Sequence, residues 1–211
     1  MDAVHKFTGD RLLLASHNKG KLVELQDLLG DKVPHIFSAL DYNLDEPEET
    51  GTTFVDNAVL KAKDCLGQMQ TLGHFDMVCI ADDSGFSVEA LGGDPGVYSA
   101  RWAESDQHEG RNFNYAMQRV YDAWQKADPD NDNAFFISVI AVAFPDGHVE
   151  TFEGRIEGQI IWPARGDKGF GYDPMFQPHG YTQSFAQMTF AEKQTMSHRA
   201  LALHKMVTAL F

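Results

Sequence analysis

Nowhere in the 211 residues does an uncharged apolar run reach the length needed to span a bilayer, and Met1 to Asp10 holds no apolar core after a basic start. The expectation is a chain without export signal, anchor or membrane partner, working in the cytoplasm. Cysteine is nearly absent. Cys65 and Cys79 lie inside apolar stretches without the paired spacing of a zinc site or redox motif, and so read as reduced core residues. Positive charge is scarce too: 17 Lys plus Arg stand against 31 Asp plus Glu, a net of −14. That balance opposes long-range attraction to nucleic acid, so any polyanion must be held locally. Internal repeats, low-complexity tracts and Gly/Ser linkers are also missing, so residues 1–211 are expected to form a single domain with no separable linker.

What is there alternates in type. An apolar run, Arg11 to Ala15, precedes a helical period in Leu22, Leu25, Leu28 and Leu29 that Gly30 ends. Beyond an acidic stretch with Pro47, Phe54, Ala58, Ala62 and Cys65 mark a second helix over Thr53 to Leu66. The strand-like Met77 to Ala81 follows, then an alternating half-buried strand with Phe86, Val88 and Ala90. Phe113, Met117, Val120 and Trp124 repeat at helical spacing. Ala134 to Phe144 and Val149 to Phe152, joined by Pro145-Asp146-Gly147-His148, read as a hairpin. Two helices close the chain, one opening on a Thr189-x-x-Glu192 capping box and one on Ser197. Strands interleaved with helices, plus a hairpin, argue an α/β protein with a mixed β-sheet flanked by helices.

Three constellations carry chemistry. Ser16-His17-Asn18-Lys19-Gly20-Lys21 is a polar loop between a strand end and a helix start, where backbone N–H groups and the helix dipole favour an anion. Lysines in a first helical turn oppose that dipole, so they call either for an anionic partner or for free exposure to water. Asp82-Asp83-Ser84-Gly85 follows an apolar strand. Adjacent carboxylates repel unless a cation intervenes, and hard oxygen donors suit magnesium, while a carboxylate beside the metal can take a proton from water. The alternative is that Asp-Asp-Ser-Gly merely starts a turn. Glu46, Glu48 and Glu49 supply either a further metal ligand or a solvated acidic loop. Lys61 borders the apolar arc of its helix, and either snorkels or points into a cleft.

The third constellation is Gly169-Phe170-Gly171-Tyr172-Asp173-Pro174 with Lys193 and Ser197-His198-Arg199. Cationic side chains in the first turn of the helix capped by Ser197 are electrostatically wasteful unless an anion or a base carbonyl is bound there. Phe170 and Tyr172 are either stacking platforms for a nucleobase or ordinary core plugs between glycines.

Taken together and in order, these segments resemble the inosine triphosphate pyrophosphatase family. Further matching stretches are Leu14 to Leu29, Glu48 to Ala62, and Ile80 to Trp102 with its Gly92-Gly93-Asp94-Pro95-Gly96-Val97-Tyr98-Ser99-Ala100-Arg101 segment. The resemblance implies an elongated two-lobed α/β fold with the active cleft between lobes, usually a homodimer, that hydrolyses ITP, dITP or XTP with Mg2+ to the monophosphate and pyrophosphate. By position it implies that Ser16 to Lys21 and Lys61 face phosphate, and that Asp83 is the proton acceptor and a metal ligand. Glu48 or Glu49 would assist the metal, Asp82 would orient Asp83 or bind metal through water, and Ser84 would touch substrate. Phe170, Gly171, Tyr172 and Asp173 would frame the base, which Lys193, His198 and Arg199 would recognise. A Maf-type pyrophosphatase or a non-catalytic nucleotide-binding module are the rival readings, argued against by the C-terminal segments and by the carboxylates respectively. One departure stands out: the family's usual Thr-Gly-Asn reads Ser16-His17-Asn18. Either the backbone at His17 is ordinary, or its imidazole covers phosphate.

Overall fold

A computed structural model describes residues 5–106 and 109–211. Six strands, β1 (Arg11–Leu14), β2 (His35–Ser38), β3 (Val78–Val88), β4 (Asn133–Ala143), β5 (Val149–Ile160) and β6 (Phe176–Pro178), form one sheet in the order β2-β1-β3-β4-β5-β6. The sheet is mixed, as expected: β1 runs parallel to both β2 and β3, and β5 runs antiparallel to β6. Among the described residues five α-helices accompany it, α1 (Lys19–Leu29), α2 (Phe54–Thr71), α3 (Phe113–Ala127), α4 (Phe190–Gln194) and α5 (His198–Leu210). Among the described residues no helix is long and apolar enough to cross a membrane.

The chain gathers into two compact units, one of Met1–Asp83, Val139–Glu153 and Ala202–Phe211, the other of Ser84–Ser138 and Gly154–Leu201. In the first, the two-residue period of a strand sends alternate core residues of β1, β3 and β4 to opposite faces. Leu12, Leu14, Val78, Ile80, Ile140 and Val142 pack with Leu25 and Leu29 of α1 and with Leu203, Met206 and Leu210 of α5. Their alternates, Leu13, Cys79, Ala81, Val139 and Ala141, pack with Ala58, Ala62, Cys65 and Met69 of α2. Cys65 and Cys79 are both free, buried thiols of that second cluster. Hydrogen bonding from Cys65, with burial, pushes the Cys79 thiol up, so neither nucleophilicity nor metal binding is favoured and the core reading holds. The second unit has one cluster, in which Phe86 and Val88 meet Met117, Val120 and Trp124 of α3 together with Phe136, Phe176 and Phe185.

Local chemistry sets the helix starts. Asn18 caps α1 by accepting from the N–H groups of Gly20 and Lys21, so this helix begins at Lys19, three residues before the first leucine of its apolar period. Thr53 caps α2 by accepting from Asp56 N, and Ser197 Oγ accepts from Ala200 N at the start of α5. The Thr189 and Glu192 box is reciprocal, as its spacing predicts. The β4–β5 hairpin also stands, closed by Phe144 N donating to His148 O, although β5 runs on to Ile160. One expectation fails: β3 neither ends at Ala81 nor turns at Asp82-Asp83-Ser84-Gly85. It runs unbroken for 11 residues through these positions, all of them buried except Ser84.

Candidate active site

Continuity of β3 decides where the two aspartates point. Consecutive side chains on a strand face opposite ways, so Asp82 follows Ile80 to the α1 face and Asp83 follows Ala81 to the α2 face. Each meets a lysine there. Lys21 Nζ donates to both oxygens of Asp82 at 2.9 Å. Lys61 Nζ donates to Asp83 Oδ1 at 2.9 Å and to Glu49 Oε1 at 2.6 Å. Lys61 is therefore turned toward the carboxylates rather than snorkelling outward. Glu49 is the acidic-loop residue that arrives at this point, whereas Glu48 is exposed.

Electrostatics at the pair are asymmetric. Burial pulls the Lys61 ammonium down, but the charges of Asp83, Asp82 and Glu49 outweigh it and hold the pKa above the ordinary lysine value. Asp83 is raised as well, foremost by burial, with Glu49 adding repulsion, and against the opposing pull of Lys61 and Asn57. An ion pair alone would lower the acid; desolvation wins here, leaving a carboxylate of increased basicity beside a firmly charged ammonium.

The first loop sits at the capped start of α1. Ser16 is buried and accepts from Asn18 N, while Lys19 and Gly20 are exposed at the opening turn of α1. His17 does not adopt the positive φ that a glycine would permit; its backbone is ordinary. Its ring turns to the acidic stretch, with Nε2 at 2.9 Å from the Leu44 carbonyl and Nδ1 at 3.2 Å from Glu46 Oε1.

In the second unit, the third constellation divides into exposed and supporting parts. Phe170 is 74% exposed, with its ring set edge-on against Phe113 at 4.7 Å between centroids. Tyr172 is 2% exposed, stacks on Phe86, and donates its hydroxyl to Ser99 O at 2.8 Å. Of the two stacking candidates, then, Tyr172 is a core plug and Phe170 offers an open ring. Asp173 is buried and accepts from Lys193 Nζ and from Phe170 N. Burial raises its pKa against the pull of Lys193 and of that N–H. Gly169, at φ 78°, has no room for a Cβ, which would collide with the Asp173 carboxylate. Gly171 also takes positive φ, 67°. His198 stacks on Phe136 at 4.8 Å and 12°, and Arg199 follows it in the first turn of α5, both half-buried. Ser84 is the single exposed residue of β3.

Sequence reasoning passed over Asn57 and Gly51. Asn57 donates to Asp83 Oδ2 at 3.3 Å and accepts from Gly51 N at 2.8 Å. The available signal was a polar residue on the apolar arc of α2, one turn before Lys61.

Among the described residues no group of three or more His, Cys, Asp or Glu side chains is gathered closely enough to enclose a metal. Glu49 and Asp83 nevertheless converge on one cation, the Lys61 ammonium. Two such carboxylates suit magnesium, which keeps several waters and takes further oxygens from phosphate rather than from an all-protein cage.

A mixed α/β sheet carrying an N-capped basic loop and lysine-paired carboxylates has the groups that phosphoryl chemistry uses. Residues 12–209 match the Ham1 family, and the chain belongs to it. A dITP/XTP pyrophosphatase of Ruegeria pomeroyi is 47% identical over 206 residues, covering 97% of either chain. One from Rhizobium meliloti is 46% identical over 202 residues, 90% of this chain and 91% of the relative. The solved structure of a HAM1 protein from Coxiella burnetii superposes with a TM-score of 0.84 at 33% identity, covering 94% of this chain and 96% of that one.

Proposed function

We propose that this chain hydrolyses non-standard purine nucleoside triphosphates, ITP, dITP and XTP, to the monophosphate and pyrophosphate, and so clears them from the nucleotide pool. The relatives' activity supports the reading, and the observation that carries it is the buried Asp83 carboxylate flanked by Lys61 and Glu49. Asp83 takes a proton from the water that attacks the α-phosphorus; the new P–O bond forms as the bond from α-phosphorus to the bridging oxygen breaks, and pyrophosphate leaves. Lys19, Lys21 and Lys61, with the N–H groups at the start of α1, hold the phosphates and offset the charge gathering on the leaving group. Magnesium, bound through Asp83 and Glu49, would neutralise phosphate charge and acidify water. Phe170 stacks on the base, and Lys193, His198 and Arg199 supply donors to the 6-oxo group that inosine and xanthine present and adenine lacks. Asp173 holds Lys193 and the Phe170 backbone in place for this task, and Ser84 touches the substrate. Family membership further supports a cytoplasmic homodimer.

The test is a product-resolved assay on ITP, XTP, ATP and a pyrimidine triphosphate, with and without magnesium. Pyrophosphate is expected from the first two, with turnover in Asp83→Asn lower by about 100-fold or more. Orthophosphate as the product, or parental turnover in Asp83→Asn, would overturn the reading.

A further inference from the structure

Asn57 is 2% exposed and lies on α2 one helical turn before Lys61. The orientation of its amide follows from its neighbours. A backbone N–H can only donate, so the atom facing Gly51 N is the side-chain oxygen, and the amide nitrogen is left facing Asp83 Oδ2. Lys61, at i+4, donates to the other oxygen, Oδ1. Two donors from successive turns of one helix, one on each oxygen, thus fix the plane of the carboxylate.

The contact with Gly51 is equally specific. A Cβ there would stand 2.5 Å from Asn57 Oδ1, 2.7 Å from Asp56 Cβ and 2.9 Å from Asn57 N, so only glycine lets the acidic segment dock on the amide. Two residues before Gly51 lies Glu49, whose carboxylate reaches the same ammonium that holds Asp83. A single buried side chain therefore sets both the face Asp83 presents and the anchoring of the segment that carries Glu49.

We infer that Asn57 is a positioning residue for hydrolysis, acting through Asp83 by way of its amide nitrogen and through the Glu49 segment by way of its amide oxygen. The inference rests on Asp83 being the proton acceptor. Asn57→Asp separates the two bonds, because the new side chain still accepts from Gly51 N but offers Asp83 a carboxylate instead of a donor. Its kcat on ITP is expected to fall about 100-fold, the effect of a misplaced reacting group, with KM within about three-fold of the parent. In an Asp83→Asn background the same change should leave the residual rate unaltered, since the group it positions is gone.

Gly51→Ala displaces the amide without adding charge, and is expected to lower kcat at near-constant KM. It serves where Asn57→Asp does not fold. Parental kcat in whichever of these variants folds, or equal losses from Asn57→Asp with and without Asp83, would overturn the inference. Parental turnover in Asp83→Asn alone would instead sink the proton-acceptor reading beneath it, so the two failures are distinguishable.

Discussion

At the scale of single residues, His17 shows what a side chain does where the family pattern has glycine. Both of its ring nitrogens face oxygens of the acidic stretch, Nε2 the Leu44 carbonyl and Nδ1 the Glu46 carboxylate. The imidazole thereby ties the loop before α1 to the start of the segment whose far end Asn57 holds. Gln68 holds the same segment at Asp45 through bonds to its N–H and its carbonyl. His17→Gly should release one of these ties. A pair of partly exposed contacts of this kind is worth about 1 kcal/mol. Amide exchange across 44–49 is expected to quicken about five-fold, with KM for ITP rising by a similar factor and kcat little changed; unchanged exchange would show that the segment does not depend on His17. From sequence, the departure from glycine was visible but its consequence was not. The two alternatives there were ordinary backbone or a ring covering phosphate; the backbone is ordinary, and the ring's partners come from 27 and 29 residues away, a separation that local pattern does not encode.

At the scale of elements, legibility followed period and capping chemistry. The apolar repeats of α1, α2 and α3 and the box at Thr189 were readable because each is a local rule satisfied locally. β3 was cut short because Asp-Asp-Ser-Gly carries turn chemistry, and membership of the sheet overrides it. β2 went unread for another reason: four residues, HIFS, are too few to show alternation, and pairing with β1 is what makes them a strand. The β4–β5 hairpin supplies a prediction of its own. Glu150 Oε1 is met by His148 Nε2 at 2.9 Å and by His5 N at 3.0 Å, and these bonds, the imidazole's foremost, lower its pKa below the ordinary 4.5. A depressed folded-state pKa means the unfolded chain binds the proton more readily. The stabilisation is therefore complete above pH 4.5 and is lost as pH falls through the lower folded-state value. Glu150→Gln should reduce Tm at pH 7 by about 2–4 °C, the shift about 1 kcal/mol gives in a chain of this size. Its Tm should also fall less steeply than the parent's between pH 5 and pH 3; parallel acid limbs in the two proteins would remove Glu150 from the account.

At the scale of the whole molecule, charge and site pull in opposite directions. The net charge of −14 repels a triphosphate at a distance, whereas in the proposed site Lys19, Lys21 and Lys61 would act at short range. Salt separates the two effects by range, because the Debye length is about 10 Å at 0.1 M and shorter contacts are screened less. Between about 0.02 and 0.1 M salt, relief of the long-range repulsion should offset weakening at the lysines, and KM for ITP is expected to stay within about two-fold. A protein that binds polyanions through a broad basic surface behaves differently, losing orders of magnitude in affinity over a comparable rise in salt. The same reasoning sets the expectation for nucleic acid: duplex DNA, whose charge extends far beyond any local group of lysines, should show no retention by this chain at 0.05 M salt. The measurement is KM against salt alongside a duplex-binding titration. A steep rise in KM together with measurable duplex binding would mean that the basic residues act as an extended field and not as a pocket for one triphosphate.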